Sequence, residues 1–245
     1  MYEYYIISML AIVVCGLLCG LASAKVNKAY GKYGGMQTYS HMTGYDTARR
    51  LLTSNGAMDI SIGRVHGNLT DHYHPTKKIV NLSEGVYGST SIAAVAVAAH
   101  EIGHVMQNKK GYLFYKIRTA LVPITNIGSK FAMPLVLVGF LLDLSVGMTE
   151  NYTLGYTLAM VGVAMYGLSA LFALATLPVE LDASRRAKKM LVEEGIITET
   201  ELPYADKMLD AAAMTYVASL LTSIVYFLRF LLWVLMMFGG RRRRD

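Results

Sequence analysis

Apolar and polar positions along this chain follow two rhythms. Four stretches are almost continuously apolar over about 20 residues each, the length that crosses a bilayer as a helix. They are Tyr4 to Ala24, Phe131 to Gly147, Thr153 to Leu177 and Ala211 to Phe238, the last interrupted by Arg229. Between them the apolar positions recur with the short periods of water-soluble structure. Gly44 to Ser54, GYDTARRLLTS, with Thr43 ahead as a cap and Asn55-Gly56 behind, predicts a short amphipathic helix. Met58, Ile60 and Ile62 alternate with Asp59 and Ser61, which predicts a half-buried strand running to about Val65. After a Gly67-Asn68 turn, LTDHYHP and KKIVNLS complete a small sheet, with Ile79, Val80, Asn81 and Leu82 as its clearest strand.

Ser91 to Lys110 predicts a helix of a different kind. The eight residues before His100 are all Ile, Val or Ala, so that helix is apolar nearly all round, as a buried helix is. From Gly111 to Lys130 the pattern is mixed and holds Pro123 and Gly128, which reads as an interfacial helix. In LPVELDASRRAKKMLVEEG, Pro178 suits a first helical turn and Gly195 a C-terminal cap. The expected organisation is therefore an N-terminal transmembrane helix (1–24), a catalytic segment with the sheet and the buried helix (25–116), and an interfacial helix with two transmembrane helices (117–177). A helix returning a ligand to the site follows (178–210), then a C-terminal hydrophobic helix with a basic tail (211–245).

Composition agrees with the apolar runs: 54% of residues are hydrophobic, 16% are charged, and the mean hydropathy is +0.38, values that point to an integral membrane protein of the multi-pass kind. The net charge of +6 is carried by no basic stripe interleaved with aromatics, so no nucleic-acid partner is expected. It reads instead as topology. Twelve Lys and Arg lie between Lys25 and Arg118 and five between Pro178 and Lys207, against none around Thr149-Glu150-Asn151, which predicts catalytic segments on the cytoplasmic side of a cell membrane. Ala22-Ser23-Ala24 resembles a leader-cleavage site, but Glu3 precedes the apolar run and Lys25, Lys28 and Lys32 follow it, the reverse of a secretory leader, so a retained anchor with its N-terminus outside is expected. Arg241 to Arg244 oppose this topology if the last helix crosses. Cys15 and Cys19 fall inside the first apolar run and read as small hydrophobes, neither a disulfide nor metal ligands.

The chemistry sits on the buried helix. His100 and His104, four residues apart, stack on one face and can reach a single zinc ion, while Glu101 is placed to act on a metal-activated water as general base. Hydrolysis is the reaction implied. Glu180, returned to the same side by an even number of spans, would complete a His₂Glu set and leave a fourth position for water. One Zn²⁺ per chain is expected. His72, Tyr73 and Arg185 are candidate donors to the oxyanion; His72 and His74 as further ligands, and His41 and His66 as anything but structural, are not expected. Ile79 to Ser83 is either an edge strand that would hold a peptide substrate extended beside the metal or simply a core strand. Two rival readings stand beside hydrolysis. A transporter with a structural metal would need polar groups in its spans, where only Asp143, Lys130 and Arg229 occur. A catalytically inactive zinc-binding scaffold would have no need of Glu101.

GNLTDHY, AAHEIGHVMQ, LPVELDASRRA and LDAAAMTYVASL, spread over nearly the full length, resemble the YugP-type family of neutral zinc metallopeptidases of prokaryotic membranes. That family looks like a distant relative of the HtpX and prenyl-protein-processing membrane proteases, whose third ligand is a Glu in an ExxxD pattern on a later helix. The resemblance implies His100, His104 and Glu180 as ligands and Glu101 as base. Ser184 stands where the pattern has its Asp, and Asp182 is the alternative either as the carboxylate behind a ligand histidine or as the third ligand itself. The fold so expected is mainly α: an integral membrane, gluzincin-like metalloprotease with about four transmembrane helices and a small α+β catalytic domain. Its partners would be the lipid bilayer and protein or peptide substrates, membrane proteins among them, in quality control or processing; the sequence leaves the oligomeric state open.

Overall fold

The computed structural model describes residues 2–146 and 153–239; the loop around Thr149-Glu150-Asn151, the Asp143 side chain and the tail Arg241 to Arg244 lie outside the described residues. The chain is mainly helical with one small sheet. Its apolar runs form helices longer than a bilayer requires. Helix α1 spans Tyr2–Gly34, ten residues past Ala24, because the chain beyond the apolar run stays amphipathic. Lys25, Lys28 and Lys32 are exposed on one face while Tyr33 is buried on the other, with Val26 and Ala29 packed beside it.

Helix α5, Leu113–Val146, contains Pro123 and Pro134. It bends by 41° between Leu113–Gly128 and Lys130–Leu142. Pro134 has no N–H to offer the Lys130 carbonyl four residues back, which places the break at the bend. The expected interfacial helix and the second span are thus one bent helix. Helix α6 runs unbroken over Thr153–Glu193, so Pro178 does not open a new helix as expected but lies inside a long one. A helix starting at Pro178 would have Leu177 as its cap, among the poorest choices, and Thr176 turns its hydroxyl back to the Phe172 carbonyl at 2.7 Å. Helix α7 spans Leu202–Gly239. Of these, α1, α6 and α7 are long and apolar enough to cross a membrane, with a fourth span only if the bent α5 counts as one.

By packing, the described chain divides into two units. One comprises the residues up to Leu18, Ile117–Thr176 and those from Val217 onward; the other comprises Cys19–Lys116 and Leu177–Tyr216. In the first, glycines let helices meet backbone to backbone. A Cβ on Gly139 would stand 2.5 Å from the Gly155 carbonyl oxygen, and one on Gly162 would stand 2.6 Å from that of Ala132. Its buried apolar centre is small: Val136, Ala159, Val163 and Val234, ringed by Phe227, Phe230 and Trp233.

The second unit holds the sheet and the buried helix. Helix α2, Gly44–Ser54, begins with the reciprocal cap of Thr43 and Asp46. Strands β1 (Ser61–Val65), β2 (His72–His74) and β3 (Ile79–Ser83) follow, then the short α3 (Glu84–Tyr87) and α4 (Ile92–Lys109), capped by Ser91. The strand order is β1-β3-β2. β3 pairs in parallel with β1, Ser61 opposite Ile79, and antiparallel with β2, His72 opposite Asn81. The expectation of Ile79, Val80, Asn81 and Leu82 as an edge strand is therefore wrong: both sides of β3 are paired. The physical reason is burial, since Val80 and Leu82 are fully buried and the most apolar strand takes the centre of the sheet. The edges are β1 and β2. One core joins Ala48 and Leu51 of α2, Val80 and Leu82 of β3, Val95 and Ile102 of α4, Ala187 and Leu191 of α6, and Leu209 of α7.

Candidate metal centre

Helix α4 is apolar because it is buried on almost every side: Ala94, Ala98, Ala99 and Ile102 pack into the core. Its face toward α6 carries the polar motif. At Gly103 the two helices touch through their backbones, since a Cβ there would stand 2.6 Å from the Ala183 carbonyl oxygen. That approach brings the α4 histidines onto Glu180 of α6. His100 Nε2 lies 3.1 Å and His104 Nε2 3.5 Å from Glu180 Oε2, and the three donor atoms fall within 4.8 Å of one another. The imidazoles stand edge to face, with centroids 4.8 Å apart. Glu180 is 2% exposed. A carboxylate so buried is tolerable only with cationic or hydrogen-bonding partners.

The far nitrogens of both rings are also engaged. His100 Nδ1 is 3.1 Å from the Ser184 hydroxyl. His104 Nδ1 is 3.0 Å from Gln107 Oε1. Gln107 is wholly buried, and its amide donates to the Val179 carbonyl at 2.7 Å and to Asp182 Oδ2 at 3.0 Å. Asp182 also accepts from Arg186 Nε at 2.6 Å and is paired with Arg185. One oxygen of Asp182 is taken by Gln107 and Arg186 and the other by Arg185, and neither is paired with an imidazole. Two residues apart on a helix, Glu180 and Asp182 face about 200° apart.

Glu101 is buried beside the cluster. Burial pushes its carboxyl up to about 7, with the neighbouring His100 pulling the other way and Glu180 adding to the rise. A group that takes and gives a proton near neutral pH is what general-base chemistry asks for.

The remaining candidates do not join the cluster. His72 is held at both nitrogens, 2.9 Å from the Thr70 carbonyl and 3.0 Å from Asn81 Nδ2. His74 Nδ1 accepts from the Lys77 amide at 3.3 Å. The Arg185 side chain is 76% exposed. Tyr73 accepts from Asn108 on α4 at 3.1 Å. His66 pairs with Glu84 on the surface, and His41 sits in a loop with φ of 51°. Sequence reasoning missed Gln107, Gly103 and the buried Tyr115, whose ring centroid lies 6.3 Å from that of His104. Gln107 was within reach, because three residues after His104 it shares that face.

Residues 5–235 match a protein family described as "Putative neutral zinc metallopeptidase". The chain belongs to this family. A relative described as "Putative membrane protease YugP", from Bacillus subtilis (strain 168), is 40% identical over 220 residues, covering 90% of this chain and 92% of that protein. No solved structure gives a significant match. The family description implies zinc, and the donor set fits it. Two imidazole nitrogens and one carboxylate, without a thiolate, are the ligands of an open, catalytic zinc site rather than a closed structural one.

Proposed function

We propose that this chain is a membrane-bound zinc endopeptidase in which His100, His104 and Glu180 hold the metal and Glu101 is the general base. The observation that carries this reading is the meeting of three donor atoms within 4.8 Å from two helices, with a carboxyl poised near 7 beside them. When bound, zinc would supply the Lewis acid that makes water a nucleophile at neutral pH. Glu101 takes the proton from the attacking water and carries it to the leaving amine. None of the three oxyanion candidates stands in the cluster: His72 and Arg185 are held by other partners and Tyr73 accepts from Asn108. An extended substrate backbone would pair with the outer edge of β2, the edge strand packed against α4. An inactive scaffold would gain nothing from a buried Glu101, since burying a carboxyl is costly.

Purified, zinc-loaded protein should digest a denatured protein substrate, lose that activity to a chelator and regain it with zinc. Glu101→Gln should lower the rate by about 10²–10⁴-fold with zinc retained. A variant as fast as the parent would remove Glu101 from the mechanism.

Substrates would be met on the cytoplasmic side, in membrane protein quality control or processing; the seventeen basic residues between Lys25 and Arg118 and between Pro178 and Lys207 support that sidedness. In a Cys15→Ala/Cys19→Ala background, Lys77→Cys on the exposed β2–β3 turn should resist a membrane-impermeant thiol reagent in intact cells, and Glu150→Cys should label. The opposite pattern would invert the topology.

A further inference from the structure

We infer that Gln107 and Asp182 form a relay that fixes which nitrogen of His104 carries the proton, so that Asp182 acts on the metal site through an amide rather than by touching the metal. The inference rests on the reading of His104 as a ligand and extends it to two residues that reading does not use.

The Gln107 side chain has one donor end and one acceptor end, and its surroundings choose which faces His104. Its nitrogen lies between two oxygens, Val179 O at 2.7 Å and Asp182 Oδ2 at 3.0 Å. Turned over, the amide would set its own oxygen against a carbonyl and a carboxylate, with no proton in either contact, in a place wholly closed to water. The amide is therefore locked with Oε1 toward His104 Nδ1, at 3.0 Å. An acceptor-only oxygen requires a donor opposite it, so His104 carries its proton on Nδ1. Nε2, the nitrogen facing Glu180, is then the one whose lone pair a metal bound between the two would take. Arg186 and Arg185 complete the relay by keeping Asp182 charged and aimed at Gln107.

His100 has no such lock. Its Nδ1 meets the Ser184 hydroxyl, which can donate or accept by rotating. The two histidines thus differ in how firmly their tautomers are set.

The test combines a mutant cycle with a direct observation on full-length protein in detergent. Zinc affinity, measured by competition with a fluorescent chelator, should fall about 10–100-fold in Gln107→Met. It should fall by less in Asp182→Ala, and Asp182→Ala should add no further loss once Gln107 is Met. Independent additive losses, or an unchanged affinity in Gln107→Met, would overturn the relay. If Gln107→Met does not fold, ¹⁵N-histidine spectra of the zinc-loaded parent decide. His104 with its proton on Nδ1 and zinc on Nε2 is the expected result, and the reverse arrangement refutes it. Neither readout depends on hydrolysis. A protein that shows the relay yet cleaves nothing would defeat the peptidase reading alone, additive losses in a zinc-binding parent would defeat the relay alone, and a parent that binds no zinc would defeat both the ligand reading and the relay.

Discussion

The two units of this chain solve the same packing problem by opposite means. In the first, α5 and α6 approach at Gly139 and Gly162 until backbone meets backbone, and large side chains such as Leu141, Leu154, Leu171 and Leu232 remain exposed. In water such a surface would be an interaction or aggregation liability, but in lipid it costs nothing, and close van der Waals contact is then what holds helices together. The second unit uses the same device at Gly103 against Ala183, as it does at Gly44 against Val86, and surrounds the Gly103 contact with a large apolar core and a buried polar network of His104, Gln107 and Asp182. In one place a glycine serves the packing alone. In the other it sets the spacing between helices on which the meeting of His100, His104 and Glu180 depends.

Substituting the glycines separates the two roles. Gly103→Ala forces the helix backbones apart at the site. Overpacking costs typically about 1–3 kcal/mol, against about 1 kcal/mol gained from helix propensity, so a stability loss of up to about 2 kcal/mol remains. The larger effect should be on zinc, with affinity down about 10–100-fold by chelator competition, comparable to disturbing the residues behind the ligands. Gly162→Ala meets the Ala132 carbonyl at the same 2.6 Å and should lower thermal stability with zinc affinity unchanged. Equal zinc losses in both variants would erase the distinction between the units.

Much of this architecture was legible because apolar length and caps are local signals. The apolar runs announced α1, α6 and α7, and Thr43 with Asn55-Gly56 marked both ends of α2. The HExxH spacing put His100 and His104 on one face, and motif register favoured Glu180, which the fold brings to them, over Asp182, which it turns toward Gln107, Arg185 and Arg186. What sequence could not convey was who stands next to whom. Alternation tells which face of β3 is buried but not that β1 pairs with it from one side and β2 from the other, so a central strand was taken for an edge. Pro178 is a start signal only where the residue before it can cap, and Leu177 cannot. Gln107 meets Val179 and Asp182 across 72 and 75 positions, a relation that no local pattern records.

The central claim is that two imidazoles and Glu180, not Asp182, hold zinc, and the most direct measurement of it is the metal content of three variants purified side by side. Glu101→Gln should carry about one zinc per chain, as the parent should. Glu180→Ala should lose nearly all of it, and Asp182→Ala only part, since Asp182 reaches the site through Gln107. Greater loss from Asp182→Ala than from Glu180→Ala would contradict the account.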